Sequence, residues 1–403
     1  MLPHDPAKKF EIEEPAGRRG GMVVCLTYHL PNISGLTLSA HEIAKYVSSL
    51  GFTSRIVAGR MPSEMPELSK IDGIDVHRVS VWARVGKALL MPGYGSAVWR
   101  ASEGMTVVNV HLPCLDAAVV AIVARLRGKK LIVSHISSMS RATSRARLLR
   151  AIAATSHVIA GLLAERIVTV SKDYAEASVF CRLFRKKLDT APYPMSLPLF
   201  PGELSIRRNP RQATVTKPFR IGYVGRIAAQ KNLSVLLDSL PLLSRLVGPH
   251  FVLELLGPAA EVIGETYWKD ILAQATSSGG TIRYCGTKTG AELAAFYANL
   301  DVLVLPSMDR LESFGIVQVE AMLRGVPVVA SDLPGMRLPV RATQMGLLFE
   351  PGNVSALANA ISEILKSGAP GYCGPDDIER LFGHAVACEP YVDLLMAAGS
   401  KLK

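Results

Sequence analysis

From Gly20 onward, short apolar runs alternate with longer stretches of helical period: GMVVCLTYH, LSAHEIAKYVSSLG, FTSRIVAG, MTVVNVH, DAAVVAIVARLRG, KKLIVSH and ERIVTVS. Uniform β-branched runs, rather than strict in-out alternation, belong to strands buried on both faces, and the amphipathic stretches between them supply the covering helices. The pattern predicts an α/β domain with a parallel sheet over residues 21–191. Over 192–218 the period disappears and Pro192, Pro194, Pro198, Pro201 and Pro210 gather, which marks a linker. Alternation resumes over 219–380. There FRIGYVG, FVLELLG, TIRYCG, DVLVLPS, VPVVAS and MGLLFEP read as strands, and KNLSVLLDSLPLLSRL, GAELAAFYANL, FGIVQVEAMLRG and VSALANAISEILKSG as helices, each ended or followed by Gly or Pro. The expectation is a second α/β domain of similar size, with ligands held at the carboxyl ends of the strands in a cleft between the two. The last residues, 381–403, contain an amphipathic stretch from His384 to Ala398 that is expected to cross back to the first domain. Residues 1–20 are polar, with no apolar run or small-residue cleavage site, and read as a mobile tail rather than a secretory signal.

Composition narrows the class. With 403 residues, 49% hydrophobic and 20% charged, the chain can bury large cores, which excludes disorder of the whole. Apolar stretches such as 151–164 fall short of the ~20 residues a membrane-spanning helix needs. Six cysteines, Cys25, Cys114, Cys181, Cys285, Cys373 and Cys388, show no CxxC spacing, which suits a reducing cytoplasm better than a disulfide or zinc framework. The net charge of +11 is unevenly spread: residues 125–220 hold 19 Lys and Arg against 5 Asp and Glu, and the rest of the chain is slightly acidic. Arg141, Arg145, Arg147 and Arg150 recur at spacings that place them on one broad helix face. Such a face suits an anionic membrane surface, at roughly 1 kcal/mol per cation, and its bland alternative is an ordinary solvated helix. Nucleic acid is a poorer partner: aromatics make up 6% of the chain and none interleaves these arginines.

The segment LPSMDRLESFGIVQVEAMLRGVPVVASDLPG carries the densest chemistry. A strand ends at Pro306 and Ser307, a loop holds Glu312, and a helix is expected from near Phe314 to Gly325. Backbone amides of Phe314, Gly315 and Ile316 at that helix start suit a diphosphate, and Gly315 permits close approach. Glu312 can reach a sugar hydroxyl of the same ligand, and Glu320, about two turns on, can accept from ribose hydroxyls. In GYVGRIAAQKNLSVLL, Arg226 follows a strand end and Lys231 stands at the next helix start, two cations for the same phosphates. Neither glycine arrangement is GxGxxG, so a dinucleotide site is disfavoured.

These residues resemble the motifs of the retaining GT-B glycosyltransferases, in the glycogen-synthase-like group called glycosyltransferase family 4, and the likeness runs over nearly all of residues 20–400. Glu312-Ser-Phe-Gly through Glu320 is similar to the family's E-x7-E, and Gly225-Arg226 with Lys231 to its G-R-x4-K. The resemblance implies two Rossmann-like domains facing each other across a cleft, a nucleotide-sugar donor, retained anomeric configuration, and neither metal nor other cofactor. It also implies roles: Arg226 and Lys231 on the diphosphate, Glu312 on the donor sugar, Glu320 on the ribose. Ser34-Gly35 is similar to the family's glycine-rich loop, which assigns Gly35 to the donor phosphate and acceptor. KKLIVSHIS resembles the strand that ends in the active-site histidine, which assigns His135 to the transferred sugar. Asn109 stands where VVNVHLP departs from the family's H-x-H-x-P, and the linker lacks the usual Asn-Gly-Val-Asp. The function so implied is transfer of a sugar to a lipid-linked or glycan acceptor in envelope or polysaccharide synthesis, in the cytoplasm or at the membrane's cytosolic face. Two alternatives stand beside it: a nucleotide-sugar epimerase or phosphorylase, which would share the grip on the donor, and a catalytically silent membrane-surface binding protein that uses the basic face.

Overall fold

The computed structural model describes residues 20–32, 34–85, 88–137, 147–194, 212–259, 267–277, 280–308 and 312–399. The chain divides into two compact units, one of residues 1–196 and 382–403, the other of residues 197–381. The expected tail and most of the expected linker, like Arg141 and Arg145, lie outside the described residues.

Unit 1 begins with β1 (Gly21–Cys25), α1 (Gly35–Ser49), β2 (Thr53–Gly59), β3 (Leu68–Ile71), β4 (Ile74–Val79), β5 (Ala83–Val85), β6 (Ala88–Leu90), α2 (Tyr94–Ala101) and β7 (Val107–Leu112). It continues with α3 (Ala117–Leu126), β8 (Lys130–His135), α4 (Arg147–Leu163), β9 (Arg166–Thr169), α5 (Lys172–Ala177), α6 (Val179–Leu183) and β10 (Leu188–Thr190). The strands form a sheet in the order β10-β9-β8-β7-β1-β2-β4-β3, in which the β3–β4 pair alone is antiparallel; β5 and β6 pair separately. One layer packs β1 residues Val23 and Cys25 against α2 and α3, through Tyr94, Val98, Val120 and Ala124. The opposite layer packs Met22 and Val24 against Ile43 and Val47 of α1. Successive residues of one strand thus face different helices, as a sheet covered on both sides requires.

Unit 2 runs β11 (Phe219–Val224), α7 (Leu233–Val247), β12 (Phe251–Leu256), α8 (Tyr267–Ser277), β13 (Ile282–Tyr284), α9 (Gly290–Ala298), β14 (Val302–Leu305) and α10 (Ile316–Met322). Then come β15 (Val328–Ser331), α11 (Leu338–Thr343), β16 (Gly346–Phe349), α12 (Val354–Ser367) and α13 (Pro375–Phe382). Its sheet is parallel throughout, ordered β13-β12-β11-β14-β15-β16, the doubly wound arrangement in which connections diverge on either side of β11 and β14.

The final helix, α14 (His384–Gly399), returns to unit 1. It sets Cys388, Tyr391, Val392 and Leu395 into the layer that holds α1. Polar groups pin it: Tyr391 Oη lies 2.8 Å from Ser134 Oγ, Arg166 donates to the Pro390 carbonyl at 2.8 Å, and His384 meets Glu42 at 2.9 Å.

Two boundaries differ from the sequence expectation. The helix expected from Phe314 to Gly325 is α10, Ile316–Met322, because Gly325 N–H bonds to the Met322 carbonyl and Gly325 takes φ +67°, closing the chain into a turn. Lys231 ends a single 3-10 turn, and α7 starts two residues later, past Asn232 at φ +50°. Between Gly59 and Met105 the pattern suggests no element, yet β3 to β6 and α2 form there.

Candidate functional site

The site in unit 2 lies where the sheet's connections part, at the carboxyl ends of β11 and β14. Such a switch point leaves a crevice that no crossing helix fills. The loop after β11 delivers Gly225, Arg226 and Lys231, and the loop after β14 delivers Glu312, Phe314 and Gly315. The two loops meet: Lys231 Nζ forms an ion pair with the Glu312 carboxylate, each side chain 18% exposed. Residues 81 apart in sequence are thereby brought together.

Backbone geometry holds the first of these loops close to its neighbours. Gly225 takes φ +148°, and its N–H bonds the Leu256 carbonyl at 2.9 Å. Gly257, at φ +132°, approaches so closely that an added Cβ would lie 2.2 Å from Gly225 O. Tyr223 Oη donates to the Arg226 carbonyl at 2.8 Å, which fixes the turn that presents the Arg226 side chain. Across the crevice, Gly315 caps α10 in the left-handed conformation, φ +74°, with no side-chain capping bond. A Cβ there would meet Gln318 Nε2 at 2.8 Å, while Gln318 itself donates to the Phe314 and Met336 carbonyls at 2.7 and 2.9 Å. Phe314 is buried beneath this turn, and Ile316 opens the helix.

Glu320, two residues before the end of α10, accepts a hydrogen bond from Tyr297 Oη at 2.6 Å. Burial raises the Glu320 carboxyl above its ordinary range, opposed by that hydrogen bond. Tyr297 comes from α9 and has no mark in the local sequence pattern around Glu320. Gly257, by contrast, ends the strand run FVLELLG just as Gly225 ends FRIGYVG, a signal available from the sequence.

Gly35 and His135 belong to unit 1. Gly35 is the first residue of α1, whose cap is Ser34, with Ser34 Oγ accepting from Thr37 N–H at 3.2 Å. A Cβ on Gly35 would come to 3.4 Å from Tyr193 Oη. His135 ends β8; its Nε2 pairs with Ser178 Oγ at 3.0 Å and its ring packs on Phe180 at 4.9 Å between centroids. Burial, helped by His157, pulls its pKa down to about 3, so the ring is neutral near pH 7. Asn109 is a core residue: buried in β7, it donates to Ser134 Oγ at 2.8 Å and to the Ile132 carbonyl at 3.3 Å. His111 is fully buried and neutral, with a pKa lowered to about 3 by burial. Among the described residues no three His, Cys, Asp or Glu side chains gather as metal ligands, and all six cysteines are free.

Residues 206–372 match the family described as glycosyl transferases group 1, a span that takes in the whole unit 2 site. A phosphatidyl-myo-inositol mannosyltransferase of Mycobacterium leprae is 36% identical over 138 residues, 34% of each chain. A D-inositol 3-phosphate glycosyltransferase of Stackebrandtia nassauensis is 25% identical over 375 residues, 82% of this chain and 79% of its own. The chain thus spans about a third of the length of the first of these relatives and about four-fifths of the second. Among solved structures, the Anabaena protein HepE in complex with UDP superposes with a TM-score of 0.65 at 18% identity, covering 95% of this chain and 98% of that one. Sucrose-phosphate synthase from Thermosynechococcus elongatus gives 0.63 at 17% identity over 95% and 97%. Fold and match agree: the chain has the GT-B fold of two Rossmann-like units, and its residues 206–372 match the glycosyl transferases group 1 family.

Proposed function

We propose that the protein is a retaining, metal-independent glycosyltransferase that moves a sugar from a nucleoside-diphosphate-sugar to a lipid-linked or glycan acceptor. The observation that carries this reading is the Lys231–Glu312 pair at the unit 2 switch point, inside the matched segment. Without donor, the two charges neutralise each other. A diphosphate entering between Arg226, Lys231 and the Gly315 turn takes over the lysine, which leaves the Glu312 carboxylate to accept from hydroxyls of the sugar. When the bond from the anomeric carbon to the leaving oxygen breaks, negative charge grows on the diphosphate, and two fixed cations stabilise it where it develops. They supply the charge that a metal ion would otherwise bring. The acceptor hydroxyl forms the new bond on the face the diphosphate leaves, and its proton passes to the departing phosphate oxygen. Glu320, set by Tyr297, accepts from the ribose.

HepE binds UDP and the Mycobacterium leprae relative is named for a phosphatidylinositol substrate, which supports a nucleotide donor and an inositol-bearing or lipid acceptor here. A peripheral position on the cytosolic face of an anionic membrane fits unit 1. Its exposed Leu148, Ile152, Leu162, Val179 and Leu183 alternate along the chain with exposed Arg150, Arg182 and Arg185. No helix among the described residues is long and apolar enough to cross a membrane.

Thermal unfolding with UDP, GDP, ADP and their sugars tests the donor: at 100 times its dissociation constant the right one adds ~2.7 kcal/mol. Absence of any shift across the series would sink the reading. Transfer that stops with EDTA and resumes with magnesium or manganese would refute metal independence.

A further inference from the structure

Unit 1 has a switch point of its own. The connection after β1 runs through α1 to β2 on one side of the sheet, and the connection after β7 runs through α3 to β8 on the other. The two loops touch at the crevice mouth, where Thr27 Oγ1 donates to the Pro113 carbonyl at 3.3 Å. In the first of these loops, after β1, sits His29, 2% exposed.

Its surroundings form a chain of three. Asp72 Oδ2 lies 3.0 Å from His41 Nε2, and His41 Nδ1 lies 3.2 Å from His29 Nε2. A carboxylate only accepts, so His41 Nε2 carries the proton. In that tautomer its Nδ1 is the acceptor and His29 Nε2 the donor. Every polar atom of the relay is then matched except the last: His29 Nδ1, buried and without a hydrogen-bond partner, is left as a bare lone pair. Burial, with His41 and Arg78 adding to it, lowers the His29 pKa to about 3, so the ring does not resolve the problem by taking a proton. An unmatched buried acceptor costs stability, and this one stands at the carboxyl end of the central strand, where open α/β sheets bind ligands.

We propose that His29 Nδ1 accepts a hydrogen bond from a hydroxyl of a polyol ligand, and that Asp72 and His41 are positioning residues that hold His29 in the accepting tautomer. On the transferase reading, on which this rests, that ligand is the acceptor and the site is one of its specificity contacts. Leu30 is half-buried, Pro31 and Asn32 are exposed, and Asn32 is held by its contact with the Met61 carbonyl at 2.8 Å.

The Asp72→Gly substitution tests the relay by removing its terminal acceptor. Asp72 sits at φ +49°, a conformation glycine adopts freely, so the variant folds. Without the carboxylate, His41 loses the acceptor that keeps its proton at Nε2, so the His41 and His29 tautomers are no longer held. Nitrogen-15 NMR of the full chain labelled at histidine reads this directly. In the wild type His29 is protonated at Nε2 and bare at Nδ1; in the variant the tautomer inverts or becomes mixed. Addition of glycerol at molar concentration, or of myo-inositol to its solubility limit, then moves the wild-type Nδ1 resonance. His29→Phe removes that resonance and so fixes its assignment. An unchanged tautomer in Asp72→Gly overturns the positioning role, and a wild-type resonance that neither polyol moves overturns the hydroxyl contact. Thermal shifts of the wild type with nucleotide-sugars, measured in parallel, report on donor binding. Their failure removes the transferase reading while leaving the NMR result standing.

Discussion

At the scale of single residues, the unit 2 site is a set of charges whose partners change on binding. Lys231→Ala removes one of the two cations beside the leaving group and is expected to lower turnover about 10²- to 10³-fold, as loss of one preorganised charge-stabilising donor does elsewhere. Steady-state kinetics at saturating donor checks this, and wild-type turnover would show the lysine is elsewhere in the reaction. Glu312→Gln should suppress turnover, whereas Glu320→Gln should weaken donor binding; equal losses of affinity with unchanged turnover would merge the two roles. Tyr297→Phe follows from the 2.6 Å bond to Glu320. Burial already raises the Glu320 pKa, and loss of the tyrosine donor raises it further. The carboxylate is then lost at a higher pH as acid is added, so the acid limb of donor binding moves upward, which titration calorimetry against pH would read. Glu312, Lys231 and Gly315 were legible in the sequence because each sits at a strand-to-helix junction where glycine and charge have local meaning. Tyr297, His41 and Asp72 were not, since each acts on a residue 12 to 31 positions away across packed elements, and no period or spacing carries that information.

At the scale of elements, strand runs such as MVVC and VLVL announced themselves through their unbroken apolar runs, and the helices through their period and the glycines or prolines that end them. The short pieces between Gly59 and Met105 did not. β3 is exposed or half-buried along its length and β5 fully exposed, so neither has an apolar pattern to read. Tyr94 in α2 is defined by distant backbone instead, donating to the Leu26 and Val57 carbonyls or lying 2.9 Å from each. α14 joins unit 1, and its polar pins could be seen only in the fold. Tyr391→Phe removes the bond to Ser134 Oγ, leaves Asn109 as that hydroxyl's partner, and should cost about 0.5–1.5 kcal/mol of stability. Chemical denaturation measures it, and a variant as stable as the wild type would mean the pin is idle.

At the scale of the molecule, the two units respond to acid differently. His29, His111 and His135 have pKa values near 3 and His157 near 4, all lowered first by burial, and all four lie in unit 1. Unfolded histidine titrates near 6.5. Below that pH the unfolded chain takes up protons that the folded unit refuses, so stability falls as pH drops from about 6.5 toward 4, by up to ~1.4 kcal/mol per pH unit for each ring. Asp116, raised to about 6 by burial, works the other way but is a single group. Unit 2 carries in Glu320 a raised carboxyl that also favours the folded state in acid. Calorimetry from pH 7.5 to 5 should therefore show the unit 1 transition moving down while that of unit 2 holds; parallel shifts would contradict it. The return of α14 to unit 1 has a further consequence, for the order of events at the ribosome. The surface formed by Ile43, Val47 and their neighbours waits for Tyr391, Val392 and Leu395, which are made only after all of unit 2. At about 5–20 residues per second, unit 1 spends some ten seconds or more after Ser196 emerges with a greasy face uncovered. Unit 2, continuous in the chain, can close first, so nascent unit 1 is the stage at which holdase chaperones find their substrate.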